Sequence, residues 1–152
     1  VARETENVQI SVLKHFNTQL AGTSSIHWPG MDFDSKAVTE WLRPRLFGPT
    51  PQPSRKSERR ESWILDTGCF AKTGETSAGV QKENIHRTRE LADAVIGAFG
   101  QQDINLQDWG AGGDPVIGIM RFEEAEVTAV PEPLEKSDLQ QLTVRVPFTV
   151  IL

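Results

Sequence analysis

The feature that most constrains the fold is the alternation in residues 139–152, LQQLTVRVPFTVIL. Apolar side chains at Leu142, Val144, Val146, Phe148 and Val150 are separated by Thr143, Arg145, Pro147 and Thr149. A period of two over this many positions marks a strand with one buried face and one wet face. Two questions follow: which partners this strand needs, and what its polar face, carrying Arg145, looks onto.

The rest of the chain supplies candidate partners. Residues 5–20 read as a helix, with Thr5 as its cap and Val8, Val12, Phe16 and Leu20 recurring at four-residue spacing. A short extended piece at 26–28 ends at the turn pair Pro29-Gly30. Residues 38–46, VTEWLRPRL, read as a strand, and Pro44 inside it predicts an edge position, because proline cannot donate to the ladder. Residues 47–60, FGPTPQPSRKSERR, combine three prolines with a charged run, and predict a long, flexible, solvated arm. Residues 61–71, ESWILDTGCFA, carry apolar side chains on both faces and predict a central strand.

A second helix is expected over 80–99, with Thr88, Leu91, Ala92, Val95, Ile96 and Phe99 as its stripe and Gly100 ending it. Strands follow at 104–109, 116–122 and 127–133, the first two joined by the turn GAGGDP. Strands in adjacent runs, with two helices and no repeat, predict a single α+β domain over 1–152: a mostly antiparallel β-sheet with two α-helices packed on one face.

Several chemistries fit the residues poorly. A net charge of −5 gives no global attraction to nucleic acid or an anionic membrane, and no apolar run approaches the length of a membrane span. The first ten residues, VARETENVQI, show no signal-peptide core, so the expectation is a protein that works or is assembled inside a cell. One cysteine excludes an internal disulfide framework. As a nucleophile, Cys69 would need a base and an electropositive setting, and His15, His27 and His86 sit in no partner motif. A small buried thiol is the simpler reading. GAGGDP precedes a strand and lacks a following Lys-Ser/Thr pair, so it reads as a loop tip and not a phosphate cradle. Neither zinc spacing nor an acid–base carboxylate pair is present, and Glu123, Glu124 and Glu126 read as a solvated acidic edge. No catalytic, cofactor-binding or metal-binding residues are therefore expected, and no cofactor.

In order and spacing, several pieces resemble one family. They are the N-terminal helix, WPGMDF, VTEWLRPRLF, RESWILDTGCFAKTGET, the helix LADAVIGAF and the strand LTVRVPFTV. Together they resemble the tail terminator proteins of long-tailed bacteriophages, and the likeness covers nearly the whole chain. The resemblance implies an α+β subunit that forms a hexameric ring at the head-proximal end of the tail tube. Such a ring stops tube polymerisation and offers a surface for joining the head. Its implied partners are further copies of itself, the major tail tube protein and a head-completion or neck protein. DNA would pass through the lumen without sequence-specific binding, and no membrane is involved. The implied location is the virion, after assembly in the host cytoplasm.

The family offers no motif from which binding residues transfer, so interface candidates come from the residues themselves: Arg43, Arg45, Arg55, Lys56, Arg59, Arg60 and Arg145. The run RKSERR reads either as a contact for an acidic partner surface or for phosphates, or as a solvated loop. Three alternatives accompany the main reading: a neck, head–tail joining or minor tail protein; a small cytoplasmic enzyme using Cys69; and a binding module using the basic loop. One sheet edge is expected at a subunit interface, with Pro44 or Pro147 limiting wrong pairing.

Overall fold

The computed structural model describes residues 2–53, 58–72, 78–129 and 139–152. In chain order the elements are α1 (Ala2–Leu20), β1 (Ser25–Ile26), β2 (Glu40–Gln52), β3 (Arg60–Lys72), α2 (Ala78–Phe99), β4 (Asp103–Gln107), β5 (Val116–Phe122), β6 (Glu126–Ala129) and β7 (Leu139–Ile151). The fold is α+β, a mostly antiparallel sheet with two helices on one face. The sheet order is β1-β2-β3-β7-β5-β4, with β6 also on β7; the β1–β2 pair alone is parallel among the described strands.

The alternating segment β7 lies at the centre. On one side it pairs with β3 along thirteen positions, from Arg60↔Ile151 to Lys72↔Leu139. On the other side it pairs first with β6, over 142–145, and then with β5, over 148–151. Its Val144, Val146, Phe148 and Val150 are almost fully buried, as are Trp63, Leu65 and Cys69 beside them on β3, while Leu142 is half-buried. Val8, Val12, Phe16 and Leu20 of α1 and Leu91, Val95 and Phe99 of α2 close this core from the helix side. A row of aromatic contacts runs through it. Trp63 stacks on Phe148 at 6.1 Å, Phe148 on Phe122 at 4.4 Å, Phe122 meets Phe99 at 5.2 Å, Phe99 meets Phe16 at 5.8 Å, and Phe16 meets Trp28 at 6.0 Å. Such pairs add to the burial energy and fix how helices sit on the sheet.

Four expectations need correction. The first helix starts at Ala2, so Thr5 is inside it and caps nothing. The arm expected over 47–60 is strand as far as Gln52, where Thr50, Pro51 and Gln52 pair with Ser62, Glu61 and Arg60. Pro44, earlier on the same strand, is tolerated because of where its missing donor falls. The Leu42 carbonyl accepts from the His27 N–H at 2.8 Å, so its main-chain groups point away from β3. Two residues on, Pro44 points the same way, past the end of β1, whose register partners on β2 are Trp41 and Leu42. At 47–50 the register shifts, and Gly48 adopts φ 143° where an added Cβ would lie 2.8 Å from the Trp63 ring. Only glycine fits that bulge.

The third correction is Pro147, which sits on the central strand and not at an edge. Its carbonyl accepts from the Glu123 N–H at 2.9 Å, on the side where β6 has ended and β5 begins. The absent donor falls in that gap in the ladder. Fourth, the strand expected over 127–133 is β6 at Glu126–Ala129, and residues 130–133 lie outside the described part. The turn 110–115 does join two antiparallel strands, β4 and β5. It is fastened to α1: Asn7 accepts from the Trp109 N–H at 3.1 Å, and Ser11 accepts from the Trp109 indole at 2.9 Å.

Candidate interface on the helix-free sheet face

The odd-numbered residues of β7 and the even-numbered residues of β3 form the second face of the sheet, away from both helices. The register places Arg45, Asp66, Arg145 and Glu126 in one row across β2, β3, β7 and β6. Charges alternate in sign along this row, which is the favourable arrangement for cross-strand neighbours. Arg145 donates to Asp66 at 3.5 Å, with 53% of its side chain exposed. The next row is apolar: Phe47, Ile64 and Pro147. Phe47 is 50% exposed, and Ile119, paired with Ile151 further along, is 39% exposed. The face is thus a mixture of one row of alternating charges and uncovered apolar side chains, the composition of a contact surface more than of a solvated one.

One end of this face is covered. The segment after β1 wraps the β2 edge, placing Trp28 against Phe16 in the core and Phe33 against Trp41 on the helix-free side, at 5.8 Å. His27 stacks on Phe33 at 4.9 Å and donates to the Met31 carbonyl at 3.1 Å. Trp41 stacks in turn on Phe70 at 5.0 Å, and the Arg43 guanidinium lies over the Phe70 ring at 4.9 Å. The ring of Phe70 reaches back over Gly68, where a Cβ would come within 2.6 Å of it. Between the wrapping segment and β2 is a pocket of about 170 Å³ lined by His27, Trp28, Pro29, Gly30, Arg43, Pro44 and Arg45.

The expected interface residues separate into three groups. Arg43, Arg45 and Arg145 converge on the helix-free face. Arg59 and Arg60 are at the far end of β3 and are engaged locally, Arg59 with Glu61 at 3.0 Å and Arg60 with Glu58 at 3.1 Å. Arg55 and Lys56 lie outside the described residues. What the sequence missed is the row itself: Asp66 and Glu126 become partners only through the β3–β7–β6 order. The wrapping segment was also missed, although WPGMDF, with its Trp and Phe, carried a signal for it.

Among the described residues, no three of His, Cys, Asp and Glu gather as a metal site, and no helix is long and apolar enough to cross a membrane. Cys69 is fully enclosed, and burial pushes its thiol up to about 12. A thiol so protonated is a poor nucleophile near neutral pH. His15 is far from that role, its Nε2 donating to the Ala98 carbonyl at 2.9 Å.

No family model matches the chain, and no curated protein matches it by sequence. Fifteen solved chains do match. One superposes over 93% of this chain and 94% of its own length, with a TM-score of 0.57 at 11% identity. What is shared is the fold. At that identity the likeness carries no function with it.

Proposed function

We propose that this chain is a structural virion subunit of the tail-terminator kind. It closes with its own copies into a hexameric ring on the head-proximal end of a phage tail tube, ends tube growth, and presents a surface to the head-completion or neck protein. It acts by shape and charge, without catalysis, cofactor or membrane, and DNA passes through the ring without sequence-specific contact. The observation that carries this reading is the helix-free sheet face. It places Arg43, Arg45 and Arg145 near uncovered Phe47, with uncovered Ile119 further along the face, and beside β2, whose outward side pairs among the described strands only with β1, at Trp41 and Leu42. An edge and face of this kind need a partner, and a closed ring of copies on a tube supplies one.

The competing enzymatic reading loses support from the burial of Cys69 and its raised thiol value. The decisive experiment is negative-stain electron microscopy of the purified protein, alone and mixed with tail tubes. Sixfold rings and capped tube ends are expected. Tubes that stay uncapped at every protein concentration would end the proposal, and a substrate turned over through Cys69 would replace it.

A further inference from the structure

Arg43 and Arg45 differ from the paired arginines of this molecule. Arg59, Arg60, Arg87, Arg121 and Arg145 each hold a carboxylate at 3.5 Å or less. Arg43 and Arg45 form no ion pair among the described residues, and both line the pocket at the β2 edge. The nearest carboxylate in their register is Asp66, which is already engaged by Arg145. Arg43 is further burdened: its Nε–H is buried with no acceptor. Burial, and then the neighbouring charge of Arg45, depress its basicity, while Asp66 opposes them only in part. A guanidinium short of acceptors, beside a second exposed one, favours an oxygen anion.

The opposite flank carries the complement. Glu123, Glu124 and Glu126 are exposed where β5 gives way to β6, and none of their side chains has a cationic hydrogen-bond partner among the described residues. Glu126 has Arg145 beside it in the register, which leaves Glu123 and Glu124 uncompensated. Between this corner and β2 lie β3 and β7. Three strand spacings amount to roughly 14 Å, so the carboxylates cannot reach the pocket of their own chain.

We propose that the pocket is a carboxylate site filled by a second copy of this chain, whose Glu123–Glu124 corner docks against Arg43 and Arg45. The inference rests on the ring-forming reading and names the contact that joins neighbours in it. Unlike patches on opposite flanks give a heterologous, head-to-tail interface, the kind that closes into a ring when the rotation allows. Carboxylate–guanidinium pairing also selects partner and register more strongly than apolar contact alone.

Sedimentation equilibrium of the full chain tests it, with R45E, the pair E123K/E124K, and the three substitutions combined. All three positions are exposed, and unchanged thermal melting confirms that the fold is kept. Reversible self-association is expected for the unaltered chain. R45E alone and E123K/E124K alone should each weaken it about tenfold or more; because Arg43 is kept throughout, the combined variant should associate more tightly than E123K/E124K alone, in which both guanidinium groups face like charges. Raising salt should weaken association in the unaltered chain by screening. A chain that is monomeric at every concentration, or variants that associate unchanged, would overturn the carboxylate contact. A combined variant no better than E123K/E124K alone would do the same. Capping is read separately on tube ends, so a chain that caps tubes while failing here loses only this contact. One that associates as expected but leaves tubes open keeps the contact and loses the capping role.

Discussion

The two faces of β7 share one backbone and follow opposite rules. On the helix side, Val144, Val146, Phe148 and Val150 are almost wholly enclosed in the apolar core formed with β3, β5 and the helices. On the other side, Thr143, Arg145, Pro147 and Thr149 lie in mixed rows with Asp66, Ile64 and Arg121. The first face is where stability resides, because buried apolar area is the main favourable term in folding. The second contributes little to stability and carries the candidate contacts. The same strand therefore separates the two tasks by residue parity.

The sharpest way to break that comparison is to hollow the covered face. Phe148→Ala removes a ring stacked on both Trp63 and Phe122, and should cost about 3–5 kcal/mol in urea unfolding. Its neighbour Thr149→Ala should cost far less. Equal losses would show that the two faces are not distinct in energy.

A second effect comes from the buried thiol on the same face. Cys69 titrates near 9.0 when free and near 12 in the fold, so the unfolded chain gives up its proton first as pH rises. The stability contribution is intact below about pH 9 and falls by about 1.4 kcal/mol per pH unit from there toward 12. Urea midpoints at pH 8 and pH 10 should fall further apart in the native sequence than in Cys69→Ala. A slope that survives the substitution would assign the alkaline loss to other groups.

Third is the clamp that holds α2 on the covered side. Arg87 donates to both Glu40 carboxylate oxygens, at 2.6 and 2.9 Å, and to the Thr23 carbonyl at 2.9 Å. Hydrogen bonding to Glu40 holds its guanidinium above the ordinary arginine range, with burial working against it. Because both groups keep solvent access, Glu40→Gln should cost about 1 kcal/mol or less by thermal melting. The smallest effect on stability belongs to the open face: Arg145→Ala should change unfolding by within about 0.5 kcal/mol. Joining to tube ends should nevertheless fall. Unimpaired joining would remove Arg145 from the contact surface.

Much of this was legible from the residues. The two helical stripes, the strand around Trp63 to Cys69 and the alternation of β7 follow from periods of 3.6 and 2, which are local properties of the backbone, and the turn at 110–115 follows from its glycines and proline. Pro44 at an edge was legible too, since proline's missing donor restricts where it can sit. Pro147 was misread by the same rule. The gap that accommodates it is made by β5 and β6, segments about twenty residues earlier in the chain, and no local pattern announces it. The strand character of 47–52 was hidden for a related reason: proline-rich composition argues for a loop, but an edge facing away from β3 removes the objection.

By itself, then, the sequence determined which residues share a face, because side-chain direction depends only on the chain's own geometry. Tertiary structure alone decided which faces meet. The order β2-β3-β7-β6 gathers Arg45, Asp66, Arg145 and Glu126 into a row, and the segment wrapping the β2 edge encloses Arg43 in a pocket. Strand order is set by burial summed over the whole sheet, and charges distant in the chain become neighbours only after that sum is settled.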